Sequence, residues 1–466
     1  MNALDLARWQ FGITTVYHFL FVPLTIGSAS LVAIMQTAWY RTGDEKWLKA
    51  TKFFGKLLLI NFAIGVVTGI VQEFQFGMAW SDYSRFVGDI FGAPLAVEGL
   101  ASFFLESTFL GLWIFGWDRL PRGLHLATIW LVAFGTMLSA YFILAANSFM
   151  QHPTGYIYNP VTKRAELVDF GAVLFQNTTY TTFFHVIASA FLVSGVMLVG
   201  VSLWLMMKGQ SADAMRKTLR LGIVATIISG LAVVYTGDTQ AKIMVQQQPM
   251  KMAAAEGLFE TSSPAPFSLV TVGTIDGTSA TWSLDIPGLL SFMATGDWNG
   301  EVQGINNLQA QYEQKYGPGV YAPYTPLVFW AFRAMIGLGM LGVLFALFVA
   351  WVTRKGRIPS ARWVGLASAV AVLFPLVGIS AGWIFTEMGR QPWIVFGLMK
   401  TSAGVSPTLT TAQAWISIVT FTLLYGVLAV IEVGLIIRAV KIGPPETVEL
   451  AEPGGADSGR PLTFSY

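Results

Sequence analysis

The sequence predicts an all-α integral membrane protein of about nine transmembrane helices, with its N-terminus extracytoplasmic and its C-terminus cytoplasmic. Three observations carry that prediction. Of 466 residues, 54% are apolar and only 12% charged, where a soluble domain carries about 25% charged residues; such a chain cannot cover a water-facing surface. Apolar runs of about 20 residues, the length that crosses hydrocarbon, recur along it. Lysine and arginine gather in alternate connections between those runs.

The runs fall at 10–36, 53–76, 95–115, 124–147, 183–207, 218–241, 325–351, 363–388 and 412–437. Hydrocarbon offers no partner to backbone amides, so each is read as a helix. The second and third carry the ionisable residues Lys56, Glu73, Glu98 and Glu106 within the run. The short odd-numbered connections are basic, with Arg41, Lys46, Lys49, Arg119, Arg122, Arg216, Lys217, Arg354 and Lys355. The longer even-numbered ones are sparse in such residues, which puts them, with the N-terminus, outside. The chain divides into a polytopic membrane domain over 1–440, an extracytoplasmic loop at 242–324 within it, and a disordered cytoplasmic tail at 441–466. Few aliphatic residues occur in the loop around 262–300, so a loose fold, or one ordered by a ligand, is expected. The first ten residues lack a basic region with a cleavage site, so no removable signal peptide is expected.

Composition excludes several function classes. A net charge of +2 gives no sign of nucleic-acid binding, and zero cysteines exclude disulfides, thiolate metal sites and a catalytic thiol. Ionisable groups inside a bilayer are costly, so each is a candidate for function. They are His18, Lys56, Glu73, Glu98, Glu106, His185, Arg333, Glu387 and Glu432. With helix directions alternating, His18, Glu98, His185, Arg333, Met335 and Glu387 collect in one layer near the outer face, as a cofactor cluster would. Simpler readings stand beside this one. A lone membrane histidine equally well serves as a hydrogen-bonding residue between helices. His125 and His152 read as structural, and Met335, one of 17 methionines, reads by default as packing. Glu432 reads as a snorkelling side chain. Glu98 and Glu106, with Ser102 between them, span about 12 Å of one broad helix face and suit a proton relay or a buried structural pair. Four histidines in all are fewer than the about six that a haem–copper oxidase core uses, so a haem protein of this sequence must recruit methionine or carboxylate ligands.

Four stretches meet that requirement: RWQFGITTVYHFLFVPLTIG (8–27), the segment from GIVQEFQFG to FGWDRL (69–120), FWAFRAMIGLGM (329–340) and WIFTEMGRQPW (383–393). In sequence and order they resemble subunit I of cytochrome bd-type quinol oxidases, the kind with a short quinol loop, over residues 1 to about 440. The resemblance implies a quinol:oxygen oxidoreductase of the bacterial plasma membrane, generating a proton motive force without pumping. His185 and Met335 match the axial ligands of haem b558. His18 and Glu387 match the single ligands of the two high-spin haems: haem d on the histidine and haem b595 on the glutamate in the best-known members, exchanged in at least one relative. Glu98 matches an acid beside haem d, Arg333 and Arg390 match cations for haem propionates, and Trp383 matches an aromatic between haems. Lys251 and Glu256, in KMAAAE, match the quinol-loop pattern; the neighbouring Gln246 to Gln248 read as loop surface. Lys56, Glu106, Ser107 and Ser139 match a proposed inward proton route. The implied partners are a second membrane subunit, small single-helix subunits, membrane lipid, O2 and a quinol, either menaquinol or ubiquinol. Two competitors remain, a proton-coupled secondary transporter and a redox-inactive scaffold. The first requires an inverted repeat, of which the sequence shows no clear trace.

Overall fold

The computed structural model describes residues 1–446. Among them are nine helical segments long and apolar enough to cross a membrane, one for each run expected from the sequence. The tail expected at 441–466 lies, from residue 447 onward, outside the described residues.

The first and eighth spans are broken, and the same residue type breaks both. The first consists of α1 (Ala3–Phe19) and α2 (Phe21–Thr42). Pro23 has no N–H to give to Phe19, and its ring crowds that carbonyl, so α1 ends there. The eighth consists of α15 (Arg362–Ala371) and α16 (Leu373–Met388), and Pro375 stands in the same relation to Ala371. His18 therefore lies in the last turn of α1, beside a break.

Between these come α3 (Glu45–Met78), α4 (Ser81–Phe86), α5 (Gly88–Val97) and α6 (Phe104–Phe115), with a π-helical turn at Glu98–Phe103 joining the last two. Next are α7 (Arg122–Gln151), the hairpin β1 (Tyr156–Asn159) and β2 (Arg164–Leu167), α8 (Phe170–Leu174), α9 (Asn177–Met207) and α10 (Ala212–Gln247). α14 (Thr325–Val352) and α17 (Thr411–Ile442) supply the seventh and ninth spans. The centre of the bundle is α9, packed along α10 and α2. Small residues allow that approach: a Cβ on Gly27 would stand 2.4 Å from the Ala190 carbonyl, and one on Gly222 2.9 Å from the Gly195 carbonyl.

The connection between α10 and α14 corrects the expectation of a loose fold. It is folded: α11 (Pro249–Glu256), an antiparallel hairpin of β3 (Phe267–Gly273) and β4 (Ala280–Ile286), α12 (Leu289–Thr295) and α13 (Ile305–Tyr316). The scarcity of aliphatic residues around 262–300 was a poor guide because most of the loop core comes from either side of that stretch. Met250 and Ala253 to Ala255 of α11 pack against Ile305, Leu308, Tyr312, Tyr321, Phe385 and Trp393. A short hairpin, β5 (Trp393–Val395) with β6 (Met399–Lys400), follows α16.

Candidate functional site

A cavity of about 570 Å³ opens among α1, α3, the π-helical turn, α6, α7 and α16, within the ~300–1,000 Å³ usual for cofactor and small-molecule sites. Its walls are mostly apolar, with His18, Glu73, Glu98, Glu106, Ser139, Asn147, Trp383 and Glu387 among its lining residues.

His18 is held in one orientation. Its Nδ1 lies 3.0 Å from Thr68 Oγ1, and that hydroxyl donates its single proton to the carbonyls of Ile64 and Gly65, both at 3.0 Å. Oγ1 can therefore only accept from the imidazole, which puts the ring proton on Nδ1 and leaves Nε2 with a free lone pair. The next residue, Gly69, gives the ring room: a Cβ there would stand 3.2 Å from His18 Cε1. His185 on α9 repeats the arrangement. Its Nδ1 meets Thr236 Oγ1 at 3.0 Å, Thr236 donates to the Ala232 carbonyl at 2.7 Å, and a Cβ on Gly237 would stand 3.3 Å from His185 Cε1. A Thr-Gly pair on a neighbouring helix thus clips each histidine. Neither threonine is among the candidates expected from the sequence. His125 contrasts with both, since its two nitrogens are occupied by Gln36 Nε2 and the Trp113 carbonyl, each at 2.8 Å.

Glu387 ends α16 and faces the cavity with its carboxylate surrounded by donors. Oε1 accepts from Asn147 Nδ2 at 2.9 Å and Gln151 Nε2 at 3.3 Å, and Oε2 accepts from Arg390. Arg390 also donates through Nε to the Trp393 carbonyl at 3.2 Å, while its Nη1 is buried without a partner. One turn before Glu387, Trp383 stacks on Phe19 with ring centroids 5.3 Å apart.

Glu98 accepts from Ser139 at 2.6 Å. Eight steps of α-helix would leave the Glu98 and Glu106 side chains about 80° apart. One residue inserted by a π turn cuts that offset to about 20°, and both carboxylates line the same cavity. The uniform α-helix assumed from sequence is replaced here by a local widening. Of the other residues on the expected proton route, Ser139 lines the cavity, whereas Lys56 and Ser107 do not; Ser107 donates to the Phe103 carbonyl of its own helix at 2.7 Å.

The two loop residues separate. Lys251 is buried, donates to Gln151 Oε1 at 2.5 Å, and so reaches Glu387 through one amide side chain. Burial, reinforced by the Arg390 charge and opposed by that of Glu387, lowers its pKa to about 7. Gln248 is buried too and donates to Gln151, which corrects the surface reading at that residue, whereas Gln246 is exposed at the end of α10. Glu256 lies elsewhere, 2.7 Å from Arg333 Nη2 in a buried ion pair, with Oε1 unpartnered. Burial raises its pKa against the opposing pull of Arg333. Arg333 donates as well to the carbonyls of Ser268 and Ala255, which ties the loop to α14. Met335, half a turn on, presses its Sδ against α16 at Gly382, where a Cβ would come within 2.6 Å.

Fold and site together define a polytopic membrane protein whose interior presents imidazole, thioether and carboxylate side chains around a cofactor-sized cavity. Comparison with known proteins gives the family. The family model for cytochrome bd terminal oxidase subunit I matches residues 6–444, and the chain belongs to that family, as a multi-pass bacterial membrane protein. It is 45% identical over 445 residues to cytochrome bd ubiquinol oxidase subunit 1 of Bacillus subtilis, covering 95% of this chain and 94% of that one. With cytochrome bd-II ubiquinol oxidase subunit 1 of Escherichia coli it shares 37% identity over 500 residues, covering 95% and 97%. The solved structure of bd oxidase from Geobacillus thermodenitrificans superposes with a TM-score of 0.85 at 29% identity, covering 95% of this chain and 99% of that one. The family resemblance read from the four sequence stretches is borne out.

Proposed function

We propose that this chain is the haem-bearing subunit of a quinol:oxygen oxidoreductase, with its membrane domain over 1–440 holding three haems and its loop at 242–324 receiving quinol. The observation that carries this reading is the mostly apolar cavity lined by one imidazole, His18 with a free Nε2, and by the Glu387 carboxylate that Asn147, Gln151 and Arg390 hold in place. Among the described residues no three His, Cys, Asp or Glu side chains converge as a bare-metal site requires. Isolated donor side chains would instead suit a metal that brings its own macrocycle. His18 and Glu387 would hold the high-spin haems d and b595; His185 and Met335 would hold haem b558. The unpartnered, buried Nη1 of Arg390 fits the anionic edge of such a group. When bound, the haems carry electrons from quinol and provide the place where O2 is reduced to water.

The remaining work falls to the protein's own side chains. Glu256, buried and with one oxygen free, is suited to take a proton from a quinol hydroxyl. Arg333 keeps it in place, and Lys251 joins the loop to the Glu387 end of the cavity. Glu98, Glu106 and Ser139 deliver protons into the cavity, with Lys56 and Ser107 nearer their entry. With the loop outside and the C-terminus inside, quinol releases its protons outward and water formation draws protons from the cytoplasm, so charge separates without a pump. The chain works with subunit II of the same oxidase, and small single-helix subunits join it. Names of relatives include both a ubiquinol and a putative menaquinol oxidase, and either quinol suits the site. Purified two-subunit complex tests the proposal: haem bands in the reduced spectrum and quinol-dependent O2 uptake are expected, and a colourless, fully folded complex would contradict it.

A further inference from the structure

The hairpin β3–β4 has its amphipathicity reversed. In β4, Ala280, Trp282, Leu284 and Ile286 alternate with Thr281, Ser283 and Asp285, and successive side chains of a strand take opposite faces. The register pairs Val270 with Leu284 and Val272 with Trp282, so these four share one face; Thr271 and Ser283 pair on the other. On β3 the polar face is the one turned to the rest of the loop, while Thr281 and Asp285 of β4 are exposed. Thr271 lies over Gly257 at the end of α11, its hydroxyl oxygen buried, and Ser268 and Ser283 both donate to Asp285, at 2.5 and 2.6 Å. The apolar face is uncovered, with Val272 51%, Trp282 56% and Leu284 50% exposed. A hairpin on a water-facing loop would be arranged the other way round.

Its position along α14 indicates what covers that face. The Ser268 carbonyl, near the start of β3, accepts from Arg333. The Ile275 carbonyl, just past the end of β3, accepts from Tyr324 at 2.9 Å, and Gly277 at the tip abuts Pro326. The first strand therefore runs alongside the opening two turns of α14, from Thr325 to Arg333, a rise of about 12 Å. α14 has 28 residues, or about 42 Å, enough for the whole bilayer with its headgroup layers at about 40–45 Å. The opening two turns then lie in the interfacial layer, where tryptophan is favoured.

We infer that the apolar face of this hairpin, carrying Val270, Val272, Trp282 and Leu284, is immersed in the lipid interface beside α14. Burial of that face in lipid fixes the loop to the bilayer next to the Glu256–Arg333 pair, at the depth where a lipid-dissolved molecule meets it.

The chain has no cysteine, which makes a site-specific probe direct. Trp282→Cys, Leu284→Cys and, on the polar face, Asp285→Cys would each carry a nitroxide in the complete oxidase complex, reconstituted in phospholipid nanodiscs. Unsubstituted complex taken through the same labelling sets the background from other subunits. Relaxation of the label by O2, which concentrates in lipid, is compared with relaxation by a water-soluble nickel chelate. Labels at 282 and 284 should respond severalfold more to O2 than to the chelate, and the label at 285 should show the reverse. Chelate access at 284 equal to that at 285 would place the face in water and overturn the inference. Shielding of both 282 and 284 from both reagents would put a protein subunit there and equally overturn it. The optical spectrum of each variant reports folding, and either of the two apolar positions suffices if the other is lost.

Discussion

Thr68→Val isolates the clip on His18. Valine keeps the branched shape of threonine but removes the hydroxyl that accepts from Nδ1 at 3.0 Å. Thr68 is fully buried, so no solvent replaces it, and an imidazole N–H left without its acceptor costs about 1–3 kcal/mol. At ~1.4 kcal/mol per factor of ten, that is roughly a 5- to 150-fold loss in affinity for whatever His18 binds. Loss of a partner that orients a metal-bound histidine typically costs a similar 10–100-fold. The measurement is haem content and haem loss rate in the purified complex, together with its reduced spectrum. Thr68→Val should deplete or shift one high-spin haem and leave the low-spin bands alone, Thr68→Ser should restore it, and Thr236→Val should do the converse at His185. Wild-type retention and spectra in both valine variants would refute the claim that the threonines orient these rings.

Glu256→Gln removes the charge that pairs with Arg333; unpairing a buried ion typically costs about 3–5 kcal/mol, so quinol-driven turnover and loop stability should fall while dithionite still reduces every haem. Lys251 lends itself to a pH test. Its folded pKa of about 7 lies below the unfolded value of about 10.4, so from about pH 7 to 10 the unfolded chain holds the proton that the folded chain has released, and stability rises with pH across that window. Lys251→Met should flatten the rise in melting temperature over that range. Glu106→Gln should slow O2 reduction with haem content intact; unchanged turnover would remove Glu106 from the proton route.

The nine spans were legible because each is a long apolar run, and hydrocarbon leaves such a run only one backbone solution. Two features inside them followed from chemistry already visible: Pro23 and Pro375 end α1 and α15 four residues earlier. The π turn at Glu98–Phe103 was not legible, because nothing in EGLASF disfavours an ordinary α-helix. His18, Glu98, Trp383 and Glu387 could be singled out through the family stretches, whereas a membrane histidine alone has two readings. The structure adds what the sequence concealed, the residues that hold the candidates. Thr68 and Thr236 are ordinary residues for an apolar helix, and their only signal is the repeated Thr-Gly pair. Asn147 and Gln151 are a polar pair four residues apart in the last turn of α7, which marks a common helix face but not the carboxylate 236 residues away that Gln151 meets. The loop misled for a different reason: Met250, Met252, Ile305 and Leu308 supply its core from either side of 262–300, and counting aliphatic residues within that stretch missed them.

The most direct measurement is the reduced-minus-oxidised spectrum of the purified two-subunit complex, taken for the wild-type chain and for Met335→Leu. Three haems are expected in the wild type, with a low-spin component that quinol reduces; the variant should convert that component to high spin and lose reduction by quinol. A wild-type complex without haem bands, or a variant with its low-spin bands unchanged, would contradict the proposed role of this chain and its ligands.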